Sequence, residues 1–348
     1  MSKIQTLANK KGEVEFRKKL AVQFEGKTTV YEGQPSGEEY LQIIKDRVKA
    51  YTTYFKDLKS KKIPLGHYLE IGAGVGQGAM LLENKFNAHG FTSDISLETL
   101  KLGDKYLKLL DYKKMPLRIC CDLYNLPFLS NSIPFIFTFQ TLHHLPDPLP
   151  VLKEIKRVLT QGGYFYFNEE PIAQVFNLNL WRRDLHLKWF EKLLKATIIL
   201  HFISRIGKSE VDHNVLEETF TLSTWEEALN LFPRVDAFLS IFPFSGKIHQ
   251  TRTKKAYWLT PPFWKRLPLQ ILGGGIGAIC QKEGNSHKLK YNTLHDLLAC
   301  PNCVKKPKLK VTKNGDLLCN VCRSYFKNKN GVLMLFSKKQ ERVLYPNT

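Results

Sequence analysis

Apolar and polar positions along this chain follow two periods. Tyr40, Ile43, Ile44, Val48 and Tyr51 recur at helical spacing. Ser36 with Glu39 three residues later forms a capping box, so a helix is predicted from there to about Leu58. Residues 13–24 predict an earlier helix. Shorter apolar runs end abruptly and read as buried strands: residues 68–71, 90–93, 117–121, 135–139 and 164–167. Helical spacing returns between them, at 79–82, 97–110 and 151–159. Strand and helix in alternation predict an α/β protein, with a parallel sheet covered by helices on both faces. Further on, residues 181–206 read as one long helix with an apolar stripe that includes Trp181, Leu185, Trp189, Phe190, Leu193 and Ile198. Thr224 opens another helix, and residues 235–244 and 272–281 read as the last two of seven strands.

The densest signal lies at residues 67–96. The run Tyr68-Leu-Glu-Ile stops at Gly72, and Gly72, Gly74, Gly76 and Gly78 lead into a helix. Glycines let a ligand approach the backbone, and a helix start aims free N–H groups at it. The following strand ends in Asp94, where an acid can take both hydroxyls of a ribose. A dinucleotide site wants G-x-G-x-x-G, which Gly74 to Ala79 fit only when forced. Taken from Gly72 the spacing is G-x-G-x-G, with Glu70 two residues before it.

That pattern resembles motif I of the class I S-adenosylmethionine-dependent methyltransferases. Four further segments resemble the same family in the same order. They are Asp94 after the second strand, Asp122-Leu-Tyr-Asn-Leu-Pro-Phe after the third, Gln140-Thr-Leu-His-His-Leu-Pro-Asp-Pro after the fourth, and Leu159-Thr-Gln-Gly-Gly before the fifth. The His-His segment points to the type 11 branch. Two positions depart from the pattern: Pro134 replaces an aspartate, and Gln161 replaces a proline. The resemblance covers about residues 65–172. It implies a Rossmann-like seven-stranded methyltransferase sheet that binds S-adenosylmethionine. By the same resemblance, Glu70 orients the methionine end of the cofactor, and Gly72, Gly74 and Gly76 admit the sulfonium and ribose. Asp94 holds the ribose. Asp122 and Leu123 take the adenine, and Gln140 borders the cofactor. His143 and His144 follow the fourth strand, where acceptor meets methyl group, and either is a candidate base because imidazole titrates near neutral pH. The dinucleotide reading explains neither the His-His segment nor Asp122.

Cys300-Pro-Asn-Cys303 and Cys319-Asn-Val-Cys322 fit the spacing of a four-thiolate zinc site in a small zinc-ribbon-like domain. Neither pair opens a helix in a βαβ context, which excludes a thioredoxin-like redox role. Four soft ligands with no open position favour structural zinc. Together with Leu294-His-Asp-Leu-Leu-Ala and Asn330-Gly-Val-Leu-Met-Leu-Phe, these residues resemble the small zinc-binding methyltransferase-activator subunit. That resemblance implies an added strand beside the catalytic sheet, supplied here in cis. The expected organisation is an N-terminal helical flap (1–62), a methyltransferase domain (63–281) with an acceptor or lid region (173–270), a linker (282–290) and the zinc module (291–348).

Composition bounds the partners. The chain has 348 residues, 43% of them hydrophobic, and a formal net charge of +20, which favours an anionic partner. Residues 1–19 lack the apolar core of a signal peptide, and no stretch reaches the ~18 apolar residues needed to span a bilayer, so a cytoplasmic location is expected. No Asn-Pro-Pro-Tyr or Asp-Pro-Pro-Tyr tetrad follows the fourth strand. Its absence shifts weight from exocyclic amines towards an oxygen or carbon nucleophile on a small molecule, glycan or lipid. Two alternatives stay open. One is an RNA methyltransferase that grips phosphates with its lysine-rich zinc domain. The other is a non-catalytic scaffold. The long helix at 181–206 could cover the acceptor pocket, meet a partner or lie on a membrane surface.

Overall fold

The computed structural model describes residues 4–26, 34–175, 177–178, 180–182, 188–197, 199–241, 247–252, 263–285 and 291–346. Two helices come first. Thr6 caps α1 (Leu7–Phe24) by accepting from the Asn9 N–H. The Ser36–Glu39 capping box opens α2 (Gly37–Ser60) as the pattern predicts. The alternating part follows as β1 (His67–Ile71), α3 (Gln77–Lys85), β2 (His89–Asp94), α4 (Leu97–Leu109), β3 (Leu117–Cys120), β4 (Ile133–Phe139), α5 (Leu149–Val158) and β5 (Leu159–Ile172). Beyond it lie β6 (Leu180–Arg182), α6 (Trp189–Ala196), α7 (Ile199–Ile203), β7 (Ser204–Ile206), α8 (Lys208–Val211) and α9 (Leu222–Leu229). The main-sheet part closes with β8 (Arg234–Ile241), β9 (Lys247–Arg252), α10 (Phe263–Leu272) and β10 (Gly274–Gln281). The C-terminal module adds β11 (Lys310–Val311), β12 (Leu317–Leu318), β13 (Tyr325–Phe326), β14 (Asn328–Lys329), β15 (Val332–Met334) and α11 (Lys338–Leu344).

The main sheet runs β14-β15-β3-β2-β1-β4-β5-β10-β8-β9. The seven expected strands form its body, and β9, β15 and β14 extend its two edges. β1 pairs in parallel with β2 and β4, and β4 with β5, whereas β10 lies antiparallel between β5 and β8. Parallel strands at the centre put the ends of β1, β2 and β4 at one rim, where ligands of open α/β sheets bind. Pro134 sits inside β4, where the register to β5 shifts between Ile133 and Phe135. A residue without an N–H is tolerated in an inner strand at such an irregularity.

One buried cluster holds Leu69, Phe91 and Phe165 together with Leu297, Leu298, Leu317 and Leu333 of the C-terminal module. Both parts of the chain therefore share a continuous core. β15 pairs in parallel with β3, matching Val332 to Arg118, Leu333 to Ile119 and Met334 to Cys120. This is the strand addition that the activator resemblance implies. On the other face, Tyr51 stacks on Phe139 at 3.8 Å and Phe55 meets Phe137 edge-on at 5.2 Å, fixing α2 to the sheet.

Several local expectations change. Residues 181–206 do not form one helix. The segment is divided among β6, α6, α7 and β7, and residues 183–187 and 198 lie outside the described residues. β6 pairs with β7, so main-chain bonds that a helix would keep inside itself go to a ladder. The segment Leu159-Thr-Gln-Gly-Gly, expected before the fifth strand, lies within the 14-residue β5, with Gly162 at φ 69°. The helix expected to open at Thr224 starts earlier, since Thr221 caps α9. Among the aromatic residues of the expected acceptor region, Phe242, Phe244, Tyr257 and Trp258 lie outside the described residues, while Phe263 and Trp264 open α10. Residues 286–290 of the linker lie outside them too. Lys282, its first residue, belongs to the folded body. Its ammonium group donates to Asn131 Oδ1 at 2.7 Å and to the Lys156 and Leu159 carbonyls at 2.6 and 2.8 Å.

Candidate active site and metal centre

β1 carries Glu70 to the rim and ends in a glycine turn. Gly72 has φ 59°, and a Cβ there would stand 2.2 Å from the Thr141 side chain, so no other residue fits. The Gly74 N–H donates to Asp94 Oδ2 at 2.8 Å, and the Ser96 N–H donates to Oδ1 at 2.9 Å. Gly76, at φ 82°, caps α3. Glu70 Oε2 accepts from the Ala79 N–H at 2.9 Å and from Thr92 Oγ1 at 3.2 Å. Burial nevertheless pushes Glu70 up to about 8, and the hydrogen bonds offset only part of that. Burial also raises Asp94, against its backbone donors and Arg17.

These residues border a cavity of about 360 Å³, within the ~300–1,000 Å³ of small-ligand pockets. Glu70, Gly72, Gly74, Asp94, Gln140, His143 and His144 all line it. Gly76 is not among the residues lining it. Gln77 also lines it, and its Oε1 is buried with no hydrogen-bond partner. A buried acceptor without a donor is costly unless a ligand supplies one. Together with the Glu70 and Asp94 carboxyls, it lines the cavity with acceptors for a guest that brings donors or positive charge. The residues present fit S-adenosylmethionine on that observation.

Helix α1 closes the other side. Its Glu13, Arg17, Leu20 and Phe24 line the cavity. Asp122 and Leu123 stand outside the lining. Asp122 is held from two directions, by Lys10 of α1 at 2.6 Å and by the Gln340 amide of α11, and its Oδ1 accepts from the Tyr124 N–H at 3.1 Å. At the rim, Gln140 is in the left-handed region at φ 50°. Its amide donates to Glu169 at 2.8 Å, and it accepts from Arg47 at 2.8 Å.

The two histidines differ. Glu170, fully buried at the end of β5, accepts the Thr141, Leu142 and His143 N–H groups at 2.7, 2.9 and 3.1 Å. Its Oε2 also lies 2.9 Å from His143 Nδ1. An acceptor-only carboxylate there makes Nδ1 the donor and leaves Nε2 with the lone pair. Nε2 lies 3.9 Å from Glu217, beyond hydrogen-bond length. Burial opposes charge on His143, but Glu170 outweighs it and the net shift is upward. His144 has both nitrogens engaged. Nδ1 lies 2.9 Å from the Leu216 carbonyl, and Nε2 lies 3.4 Å from the Arg17 guanidinium, which can only donate. Burial, then His143 and Arg17, hold it well below the usual histidine range, so it stays neutral. Glu217 is pushed by burial up to about 7, with His143 pulling the other way.

Sequence reasoning missed Arg17, Gln77, Glu170 and Glu217. Glu13 and Arg17 at i, i+4 on a flap helix were a usable signal. Glu217 lies in a segment with no motif, and only the fold brings it to the histidines.

At the far edge of the sheet the four predicted cysteines converge. The Cys300 and Cys322 sulfurs are 3.6 Å apart and those of Cys303 and Cys319 are 3.9 Å apart, and all four ligand atoms lie within 4.8 Å of one another. A tetrahedron with Zn–S bonds of about 2.3 Å has edges of about 3.8 Å. The donor set and its spacing fit the ion. Cys120, Cys121 and Cys280 are buried free thiols in strands or at their ends, as expected.

Comparison with known proteins gives the class. Residues 69–167 match the family model described as a methyltransferase domain. The chain is similar to the malonyl-[acyl-carrier protein] O-methyltransferase of Marinomonas sp., 24% identical over 157 residues, 44% of this chain and 52% of that one. It is similar to the demethylmenaquinone methyltransferase of Staphylococcus haemolyticus, 26% identical over 182 residues, 51% of this chain and 66% of that one. A phthiotriol/phenolphthiotriol dimycocerosates methyltransferase of Mycobacterium tuberculosis is 28% identical over 157 residues, 44% of this chain and 53% of that one. The chain thus spans about half to two thirds of the length of these relatives. Among solved structures, a SAM-dependent methyltransferase of Thermotoga maritima is 16% identical with TM-score 0.39, covering 71% of this chain and 94% of that one. Residues 69–167 are thus matched to a methyltransferase domain, and they lie in a Rossmann-like α/β sheet.

Proposed function

We propose that the protein transfers the methyl group of S-adenosylmethionine to an oxygen or carbon nucleophile of a small-molecule, glycan or lipid acceptor, with His143 as general base. The observation that carries this reading is the Glu170–His143 pair, which holds the imidazole on the wall of the cavity that Gly72, Asp94 and Glu70 also line, with Nε2 3.9 Å from Glu217 and outside hydrogen-bond length. The relatives' names, which include an O-methyltransferase and enzymes named for a quinone and a waxy lipid precursor, support the acceptor class.

S-adenosylmethionine supplies an already activated methyl group, so the protein's work is alignment and proton removal. Asp94, its oxygens fixed by the Gly74 and Ser96 N–H groups, would accept from the ribose hydroxyls. Glu70 and Gln77 would hold the cationic methionine end. His143 Nε2 would take the proton that the acceptor loses on methylation. Glu170 holds the ring and stabilises the resulting imidazolium. His144 serves as a structural neighbour that ties Arg17 of the flap to the Leu216 carbonyl.

We further infer that Cys300, Cys303, Cys319 and Cys322 hold a structural zinc ion, and that residues 291–348 act in cis as an activator-like module, with 1–62, 63–281 and 282–290 as flap, catalytic domain and linker. Parallel pairing of β15 with β3 supports this. The free thiols agree with a reducing cytoplasm. An RNA acceptor is a second reading, favoured by exposed Lys305, Lys310, Lys313 and Lys327 on the module. Lys306 and Lys308 are engaged at Glu154 and Asp296 instead.

Incubation with methyl-labelled S-adenosylmethionine and fractionated cell extract, at low and high salt, separates the readings. Label in a lipid or small-molecule fraction, indifferent to salt, is expected. Label in RNA that vanishes at high salt would replace this reading with the second. No label and no S-adenosylmethionine binding by calorimetry would sink both and leave a scaffold.

A further inference from the structure

Helix α6 is two turns long and none of its residues is buried. Trp189 is 79% exposed and Leu193 62% exposed, with Phe190 beside them at 43%. At about 100° per residue, Trp189, Phe190, Leu193 and Leu194 share an arc of about 140°, and Lys188, Lys192 and Lys195 lie opposite. So short a helix is not stable in water without something to cover its apolar face. Neighbouring apolar residues are also open: Leu178, Leu180 and Ile199 are 57%, 60% and 48% exposed. The Leu178 N–H donates to the Phe202 carbonyl, and Leu180 pairs with Ser204, so this surface is joined to the α6–α7 unit.

We propose that α6 and this surrounding surface dock peripherally on an anionic lipid bilayer. Three lysines on the polar face behind an aromatic and leucine face suit an interfacial helix, whose rings enter the acyl boundary while the ammonium groups stay at headgroup level. A net charge of +20 draws this face to an anionic surface and sets a second copy of the chain against it by like-charge repulsion. No helix among the described residues is long and apolar enough to cross a membrane, so the contact is a surface one. From α7 the chain runs through β7 to Gly207, Lys208, Ser209 and Glu210, which line the cavity. Docking therefore engages a unit that continues along the chain into one wall of the cavity. The proposal goes beyond methyl transfer, and its test reads binding rather than activity, so either can fail alone.

The full-length protein is sedimented with vesicles of phosphatidylcholine alone and of phosphatidylcholine mixed with phosphatidylglycerol. The expected result is binding to the mixed vesicles, weakened by salt, and a loss of about tenfold or more in Leu193→Glu and in Trp189→Ala. Both variants should melt and bind S-adenosylmethionine like the wild type, since neither side chain is packed. Equal binding to both vesicle types, no binding at all, or full binding by the two variants would overturn the proposal. So would a wild-type dimer that Leu193→Glu dissociates, because the face would then belong to a second copy.

Discussion

The Lys10 ammonium lies 2.6 Å from Asp122, with the two side chains only 5% and 4% exposed. Residues 112 positions apart thus join the flap helix to the end of β3, and Lys10 also sits over the Tyr124 ring at 4.6 Å. An acid that the resemblance assigns to the adenine amine already holds a cation. Lys10→Met should remove the pairing and keep the stem's packing. Stranding a buried carboxylate costs about 3 kcal/mol or more, so the variant's melting point should fall without ligand. S-adenosylmethionine offers an amine to the same oxygens and should raise the variant's melting point by more than the wild type's. Equal ligand-induced shifts in a thermal melt would show that adenine does not reach Asp122.

Glu70 gives a pH dependence whose sign can be worked out. Its carboxyl is raised from its ordinary value of 4.5 to about 8 in the folded protein, chiefly by burial. The folded state therefore binds more protons than the unfolded state between those values, and Glu70's contribution to stability is lost as pH rises through that window. Binding a cation reverses the preference, because the ionised form then gains a partner. S-adenosylmethionine should bind more tightly as pH rises towards 8, by up to about tenfold per unit, with proton release. Calorimetry in buffers of different ionisation enthalpy measures that release. Glu70→Gln should flatten the pH limb. A limb that survives this change belongs to Asp94 or Glu217.

Glu170 acts through His143. Its charge and hydrogen bond raise the imidazole against the opposing effect of burial. In Glu170→Gln that support is weakened, so the acidic limb of the kcat–pH profile should move to lower pH. The rate on the plateau should also fall, since the ring is no longer held in one tautomer. His143→Asn should cost about 10²-fold or more in kcat with KM for S-adenosylmethionine little changed. His144→Asn should cost less, because both His144 nitrogens are already used inside the protein. A larger loss at His144 than at His143 would reverse the assignment.

How much of this was legible beforehand depends on which residues had local partners. Gly72, Asp94 and the Ser36 cap declare themselves through neighbours in sequence, and each lies where its spacing predicted. Glu170 could be seen only as the end of a strand. Its role appears when β5 lies beside β4 and the Thr141–His143 backbone turns its N–H groups towards it. Glu217 comes from a segment without periodicity, placed by tertiary contacts alone. The apolar stripe at 181–206 was real in composition but misleading in form. Helical spacing alone could not show that β6 and β7 would pair and leave only the short α6 and α7 as helices. β15 was anticipated in kind by resemblance, but its register against β3 depends on contacts such as Arg118 with the Asn330 carbonyl at 3.2 Å.

The shared core makes a prediction about the metal module. Leu297, Leu298, Leu317, Leu333 and the Cys300 and Cys319 side chains are buried in the same cluster as Phe91, Phe128 and Leu126. The Ala299 and Leu129 N–H groups bond across the junction to Pro127 and Leu297 at 2.9 and 3.0 Å. Loss of the ion should therefore not unfold a detached appendage. With a strong chelator, or in Cys319→Ser, the module loses its main constraint. The edge of β3 then stands open, with a row of unpaired N–H and carbonyl groups between apolar side chains, which is a template for aggregation. The expected result is a fall in melting temperature of the whole chain as one transition, with light scattering rising below it and one zinc released per chain in a colorimetric assay. Two separate transitions, the upper one unchanged by chelation, would show that the catalytic sheet stands without its added strands.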